Sequence, residues 1–156
     1  MQIPSKARAV IIGGGVIGCS IAYHLGKLGW KDVVLLERKQ LTCGTTWHAA
    51  GLIAQLRATQ NMTRLAKYSQ ELYFGLEAET GVATGFKRCG SITVALTDER
   101  MEELRRSAAM ARAFGVGIDE ITPSDNAGRY PGLATEDVFG GGLLPKDGQG
   151  DPVNIT

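Results

Sequence analysis

The amino-acid sequence predicts an α/β fold that opens with the βαβ unit of a doubly wound parallel sheet. Three observations predict it: two short, wholly apolar runs at residues 9–12 and 33–36, a glycine cluster directly after the first run, and a helical apolar pattern between the runs. Runs that are apolar at every position are typical of parallel strands covered on both faces by helices. We therefore expect both strands to be buried.

The helix between the strands is predicted from apolar residues that recur at helical steps, namely Ile17, Ile21, Leu25 and Leu28. This spacing puts the four side chains on one stripe, which we expect to pack against the sheet. Gly29 follows at the place where a left-handed C-terminal cap belongs.

A long connection, residues 38–60, is rich in Gly, Thr and Ala and lacks sustained periodicity. A connection of this length in a compact domain is usually functional. Helical spacing returns over residues 62–76, with Asn61 as the predicted N-cap and Gly81 as the stop. The connection is therefore the first candidate for a functional loop.

Further elements follow that helix. Residues 90–96 alternate in the manner of a half-buried strand. Thr97 or Asp98 is the predicted N-cap of a helix that ends at Gly115. The remaining predicted elements are a short helical turn begun by Thr122 and Pro123, a strand near 138–144, a turn through Asp147 and Gly148, and a new element near Pro152.

The charge and hydropathy of the chain argue against two classes of partner. Seventeen Lys and Arg residues against sixteen Asp and Glu leave a formal net charge of +1, so no strong field attracts nucleic acid or an anionic membrane. The apolar runs are far shorter than the roughly 18 residues that a membrane span requires. We expect a cytoplasmic protein that binds a small molecule.

The cysteines do not form a recognisable framework. Cys19, Cys43 and Cys89 are odd in number, widely spaced and without a CxxC pair, which fits neither a set of disulfides nor a zinc site. We therefore expect a reducing compartment and no metal.

The glycine cluster carries the first functional signal. Gly13, Gly15 and Gly18 form GxGxxG between a strand and a helix, where they permit a tight turn, close approach of a pyrophosphate, and packing of helix on strand. The helix N-terminus attracts the phosphates. Glu37, at the end of the second strand, suits the ribose hydroxyls and would repel a 2′-phosphate, so the dinucleotide is NAD or FAD rather than NADP.

The connection carries a resemblance that favours FAD. The string LTCGTTWHAAGL, Leu41 to Leu52, resembles the flavin-binding loop of sarcosine and dimethylglycine dehydrogenases, which belong to the FAD-dependent oxidoreductases related to D-amino-acid oxidase. The string from Pro145 to Thr156 resembles these enzymes too. Besides the three glycines, the resemblance implies FAD contacts at Val16, Ile17, Glu37, Arg38, Gly44, Thr45, Thr46, Trp47, His48, Ala49, Ala50, Gly51 and Leu52.

His48 has a special role in this resemblance, because in the dehydrogenases the corresponding histidine is joined covalently to the 8α carbon of the flavin. A neutral imidazole is nucleophilic near pH 7, which suits that chemistry. The alternative is a partly buried loop histidine that is hydrogen-bonded to a carbonyl. For Trp47 the alternative to a cofactor contact is core packing. Cys43 is interpreted as a small buried residue, and His24 as a structural residue. The charged cluster at residues 102–106 is interpreted as a solvated helix face.

The resemblance implies a function and an incomplete domain plan. The function is hydride transfer to flavin from the C–N bond of a small N-methylated amino acid, with an electron acceptor; the catalytic residues cannot be assigned. The alternatives are another amino-acid oxidase of the family, or a non-catalytic regulatory protein similar to the regulatory subunit of pyruvate dehydrogenase phosphatase.

Doubly wound sheets have about five or six strands, whereas only two buried parallel strands are predicted, so we expect an N-terminal fragment. Residues 1–80 are assigned to a Rossmann-like FAD-binding domain, 81–150 to part of an α+β substrate domain, and 151–156 to the return toward the FAD domain. A missing C-terminal half or a partner chain would supply the rest.

Overall fold

In a computed structural model, which describes residues 4–156, the two apolar runs pair as parallel strands. Strand β1 (Ala9–Ile12) and strand β2 (Val33–Leu36) are in register from Ala9 opposite Val33 to Ile12 opposite Leu36. Helix α1 (Val16–Lys27) connects them, and Gly29 takes the left-handed conformation with φ of 76° just after the helix. The predicted βαβ unit is confirmed.

The burial predicted for this unit is wrong for much of its apolar surface. Ile11 is buried, but Ile12 is 86% exposed, and on the helix Ile17 and Leu28 are 74% and 75% exposed. The physical reason is that one helix on two strands covers one face only. The extensive contacts of β1 are with β2 and α1.

The long connection has more structure than predicted. It contains a 3₁₀ turn (Thr46–His48) and a short strand β3 (Leu52–Ile53) before helix α2 (Gln60–Thr80). Thr59, not Asn61, is the N-cap of α2, since its hydroxyl accepts a hydrogen bond from the Met62 N–H at 3.4 Å. The earlier start was missed because residues 60 and 61 are polar and add nothing to the apolar periodicity.

The second half of the chain forms two antiparallel sheets. The three-stranded sheet has the order β4, β6, β5, and α3 packs on one of its faces; β3 pairs with β7. Strands β5 and β7 were not predicted because they are too short for a clear alternation. The elements are β4 (Ser91–Ala95), α3 (Asp98–Ala113), β5 (Asp119–Ile121), α4 (Pro123–Arg129), β6 (Gly140–Leu144), β7 (Gly148–Gln149) and α5 (Pro152–Ile155).

Helix caps follow the sequence signals in this half. Thr97 is the N-cap of α3, and Thr122 forms a reciprocal capping box with Asp125 at the start of α4.

The charged cluster of α3 is exposed as predicted, with a 3.4 Å ion pair between Arg106 and Glu102. The core of this half is apolar and consists of Ala108, Ala111, Val116, Ile118 and Leu144, with Leu56 against it.

The residues group into two compact units. Unit 1 contains the described residues up to Gly51 together with Ala83–Gly85 and Asp151–Thr156, and unit 2 contains Leu52–Val82 and Phe86–Gly150. Residues 52–80, which the sequence assigned to the first domain, group with unit 2. The assignment of cofactor and substrate domains stays a prediction.

Residues 4–156 were searched for membrane-spanning helices and for metal-binding clusters. None of their helices is both long enough and apolar enough to cross a membrane. They also contain no cluster of three or more His, Cys, Asp or Glu side chains that could hold a metal ion, and the three cysteines are free thiols.

Candidate dinucleotide-binding site

The glycine turn is built by the end of β1 and the start of α1. Gly13 has φ of 108°, and its N–H donates to the Leu36 carbonyl at 2.8 Å, so the turn is tied to the neighbouring strand. Gly15 is the N-cap residue of α1 and has no side chain with which to cap the helix. The first N–H groups of α1 therefore lie beside a backbone that carries no bulky substituent.

Gly18 confirms the packing role that the motif predicts. It is buried, and a Cβ atom built on it would overlap the carbonyl oxygen of Gly13. At Gly15 a Cβ atom would lie 3.0 Å from the Thr46 hydroxyl. Gly14, which the motif leaves free, is also restricted, because a Cβ atom there would lie 2.5 Å from Leu41 Cδ2.

Glu37 lies directly after β2 and faces the glycine turn. Its Oε2 accepts a hydrogen bond from the Gly14 N–H at 2.7 Å, and its Oε1 accepts one from the Lys39 N–H at 3.1 Å. These backbone donors, Gly14 first, lower the pKa of the carboxyl group below its ordinary value. The site thus holds an ionised carboxylate beside the glycine turn, and Arg38 next to it is exposed.

The connection folds back onto the same turn. The Thr42 N–H donates to the Gly14 carbonyl at 2.9 Å, and the Thr46 hydroxyl accepts from the Val16 N–H at 3.0 Å, at the first residue of α1. Thr42 is buried and has φ of 67°, which is uncommon for a β-branched residue. The loop therefore begins at the point where a dinucleotide would place its phosphates.

His48 lies in the 3₁₀ turn, two residues after Thr46. It is exposed, its ring centroid is 3.7 Å from that of Trp47, and its imidazole has no hydrogen-bond partner among residues 4–156. A partly buried, carbonyl-bonded histidine is therefore not what the structure contains. Trp47 is itself 56% exposed, so core packing does not account for it.

The predicted site residues fall into two groups. The first group lies together at the glycine turn, where Glu37 bonds to the Gly14 N–H and Thr46 to the Val16 N–H; it consists of Gly13, Gly15, Val16, Gly18, Glu37 and Thr46. The rest follow along the loop: Gly44, Thr45, Ala49 and Ala50 are exposed, Gly51 takes φ of 78°, and Leu52, the first residue of unit 2, is exposed at the start of β3. Ile17 lies on the exposed side of α1.

Sequence reasoning missed three residues of this site. Gly14 and Thr42 contribute backbone atoms, which leave no signal in a pattern of side-chain types. Cys43, predicted to be a small buried residue, is half-buried, and its thiol lies 3.8 Å from Glu37 Oε1. His24 is structural as predicted, because its Nδ1 lies 2.6 Å from the Ser20 carbonyl oxygen.

The end of the chain adds a further element to unit 1. Helix α5 contacts the 3₁₀ turn that carries His48. Its N-cap is Asp151, whose Oδ1 accepts hydrogen bonds from the N–H groups of Val153 and Asn154, both at 2.9 Å. The 3₁₀ turn is thus supported by the glycine turn through Thr46 and by α5.

The chain matches a family model over residues 8–156, and that family is described as DAO, FAD dependent oxidoreductase. It is 42% identical, over 99% of its length, to 4-methylaminobutanoate oxidase (formaldehyde-forming) of Paenarthrobacter nicotinovorans. It is 40% identical over 96% of its length to the mitochondrial sarcosine dehydrogenase of Homo sapiens, and 40% identical over 94% to the mitochondrial pyruvate dehydrogenase phosphatase regulatory subunit of Mus musculus.

A solved structure shows the same fold. The crystal structure of L-proline dehydrogenase from P. horikoshii superposes with a TM-score of 0.89 and 31% sequence identity, covering 96% of this chain and 39% of that one. The chain spans 19%, 16% and 17% of the three curated relatives, in the order given above. The predicted fold class is confirmed, and the match concerns a minor part of each relative.

Proposed function

The chain belongs to the DAO family of FAD-dependent oxidoreductases, and from this premise we propose that the natural protein uses FAD to oxidise a C–N bond of a small N-methylated amino acid. The observation that carries the proposal is the meeting of the glycine turn, the ionised Glu37 and the Thr46 loop at the start of α1. Two of the relatives support the substrate class, since their names specify a methylamino acid and sarcosine.

The residues of unit 1 fit the adenosine and pyrophosphate parts of FAD. The first turn of α1 has N–H groups that favour an anion, and Gly13 and Gly15 leave room for it. The Glu37 carboxylate is held in place by two backbone donors and keeps acceptor capacity for ribose hydroxyls. Arg38 and the residues Gly44 to Leu52 are the proposed contacts of the rest of the cofactor.

When bound, the flavin supplies a two-electron acceptor for a hydride. The residues of this chain would orient that group: the first turn of α1 would hold its phosphates, and the residues Gly44 to Leu52 would lie along its ring system. The acid or base that handles the substrate's proton is not assigned to this chain. An electron acceptor is needed to complete the cycle, since two electrons leave the substrate in each turnover.

His48 is the proposed attachment point. Its imidazole is exposed and unpaired among the described residues, so it is available to react. In that role His48 would hold the flavin covalently through one imidazole nitrogen, which would give up its proton on attachment.

The attachment is tested by His48→Ala in the natural protein, with His24→Ala as the matched control because His24 serves α1 locally. After acid precipitation and denaturing electrophoresis, we expect flavin fluorescence on the wild-type and His24→Ala bands and none on His48→Ala. Fluorescence that persists on His48→Ala would place the attachment elsewhere, and its absence from every band would make FAD binding non-covalent.

The substrate class is tested by anaerobic mixing. Sarcosine or dimethylglycine is expected to bleach the flavin absorbance, because hydride transfer reduces the ring. Bleaching by glycine or L-proline, but by neither N-methylated compound, would favour another amino-acid oxidase of the family.

The regulatory alternative has a specific observation in its favour, which is the 40% identity to a phosphatase regulatory subunit. The exposed imidazole of His48 within the proposed flavin loop favours the enzyme, since a protein without flavin chemistry needs no such group. A purified protein without a flavin absorbance spectrum, even after incubation with FAD, would favour the regulatory function.

A further inference from the structure

Helix α5 is a single turn whose start depends on one side chain. Asp151 is its N-cap, and Oδ1 of that residue accepts hydrogen bonds from the N–H groups of Val153 and Asn154, both at 2.9 Å. The Asp151 carbonyl accepts a third, from the Ile155 N–H at 3.0 Å. A helix this short is not stable by itself, so the turn depends on its cap and on contacts with other segments.

Asp151 is also held from outside the helix. Gly85 takes φ of 64°, and a Cβ atom on it would lie 3.3 Å from Asp151 Cβ and 3.6 Å from the Asp151 nitrogen. The chain at Gly85 therefore passes directly against the cap residue. Both residues belong to unit 1, as does the 3₁₀ turn that α5 contacts.

The 3₁₀ turn that carries His48 is weak by itself. Its backbone hydrogen bonds run from the His48 N–H to the Thr45 carbonyl and from the Ala49 N–H to the Thr46 carbonyl, both at 3.1 Å. Such bonds have poorer geometry than those of an α-helix. Since Trp47 and His48 are both exposed, the direction of the imidazole depends on what holds the turn from outside.

Two such supports are present in unit 1. The Thr46 hydroxyl accepts from the Val16 N–H at 3.0 Å, which fixes the start of the turn to α1. The contact with α5 is the second support. Without α5, the turn would keep its attachment to α1 at Thr46, two residues before His48.

We propose that Asp151 is a positioning residue for His48: by capping α5, it keeps the 3₁₀ turn ordered and the imidazole in the place from which it reaches the flavin. The inference rests on the proposed function, because attachment of FAD is what an ordered turn would serve. Asp151 acts through α5, since its carboxylate is engaged with the N–H groups of that helix.

The test compares Asp151→Ala and Asp151→Asn in the natural protein, with Thr122→Ala as the matched control. Asparagine keeps an oxygen acceptor at the N-cap, whereas alanine removes it. Thr122 caps α4 in unit 2, so its loss removes a cap of the same kind from the other unit. FAD is added to protein from riboflavin-starved cells, and attachment is followed as flavin fluorescence on the denatured band.

Attachment is expected to slow by about fivefold in Asp151→Ala, the factor that corresponds to the typical energy of an N-cap. Asp151→Asn and Thr122→Ala should attach FAD at the wild-type rate. Gly85→Ala, which presses a methyl group against Asp151, provides a second variant and should also slow attachment.

A second measurement requires no flavin. Hydrogen exchange of the peptide 44–52, followed by mass spectrometry on the flavin-free protein, reports how often the turn opens. Exchange should be faster by a similar factor in Asp151→Ala and unchanged in Asp151→Asn and Thr122→Ala.

Attachment at the wild-type rate in Asp151→Ala, or an equal loss in Thr122→Ala, would overturn this inference and leave the attachment itself in place. Absence of covalent flavin from the wild type would overturn the attachment, and hydrogen exchange alone would then decide the role of Asp151. Unchanged exchange in Asp151→Ala overturns that role in either case.

Discussion

At the scale of single residues, the glycine turn depends on positions at which any side chain would clash with neighbouring atoms. Gly18→Ala would place a methyl group on the Gly13 carbonyl oxygen, so the turn or the helix must shift. We expect the free energy of unfolding to fall by about 2 kcal/mol or more, in the range for overpacking, with loss of FAD binding. Urea unfolding and a flavin titration measure the two effects.

Gly26→Ala is the matched control on the same helix. A Cβ atom at Gly26 meets nothing within 4 Å, and the residue is exposed. This substitution should stabilise the protein by about 0.5–1 kcal/mol, because alanine is the better helix former, and FAD binding should not change. Equal effects at the two positions would show that close packing at Gly18 is not what the motif requires.

Glu37 makes stability depend on pH through its hydrogen bond from Gly14. Its folded pKa lies below the unfolded value, so its stabilising contribution is present above the unfolded pKa and is lost as the pH falls through the folded pKa. We expect wild type to be more stable than Glu37→Gln near neutral pH. The difference should shrink steadily below about pH 4.3, the ordinary pKa of Glu.

Urea unfolding of the two proteins across this pH range provides the measurement. Asp137→Asn, at an exposed carboxylate, controls for the change in net charge. A constant difference between wild type and Glu37→Gln at every pH would mean that the ionised form of Glu37 does not hold the glycine turn.

At the scale of elements, the start of α2 differs between the sequence prediction and the structure. Thr59 caps the helix in the structure, whereas Asn61 lies inside the first turn. Thr59→Ala is expected to cost about 1 kcal/mol, because an N–H group loses its acceptor. Asn61→Ala should be neutral or slightly stabilising, because alanine has the higher helix propensity. Unfolding free energies in the reverse order would restore Asn61 as the cap.

Buried polar side chains organise the elements of unit 2. Asp147 is buried and accepts hydrogen bonds from the Gln55 N–H at 2.9 Å and from the Ser91 hydroxyl at 2.7 Å. The Gln55 amide donates to Gln70 at 2.8 Å, which attaches the segment after β3 to α2. The position of β3, and with it the end of the proposed flavin loop, therefore depends on polar contacts rather than on apolar packing.

At the scale of the whole molecule, the exposed apolar surface of unit 1 is its most unusual property. Val10 and Ile12 on β1 and Ile17 on α1 are each more than half exposed. We expect the 156-residue chain by itself to bind a hydrophobic dye and to associate as its concentration rises, because such surface is normally covered. Sedimentation velocity over a range of concentrations measures the association.

The double variant Ile12→Thr, Ile17→Gln serves as the comparison, because it removes two of the most exposed side chains and leaves Ile11, which is buried, in place. Dye binding and association should both decrease. A wild-type chain that is monomeric at every concentration and binds no dye would show that the exposed surface does not drive association.

Local features of the chain were determined by the sequence itself. The βαβ order, the glycine turn, the Thr97 and Thr122 caps and the carboxylate after β2 follow from residue types at characteristic spacings and from backbone conformations that particular residue types favour. The flavin loop was found through a matched string, and its role stays a prediction.

Contacts between residues that are distant in the sequence were decided only by the tertiary structure. The Gln55–Asp147 hydrogen bond joins positions 92 residues apart, and a pattern of single residue types records neither partner as buried. The same holds for Thr42 on the Gly14 carbonyl and for Asn126 over Gly141, because hydrogen bonds to backbone atoms and the space left by a glycine depend on how elements pack. Periodicity shows that a face is apolar, but only the packed elements show whether anything covers it.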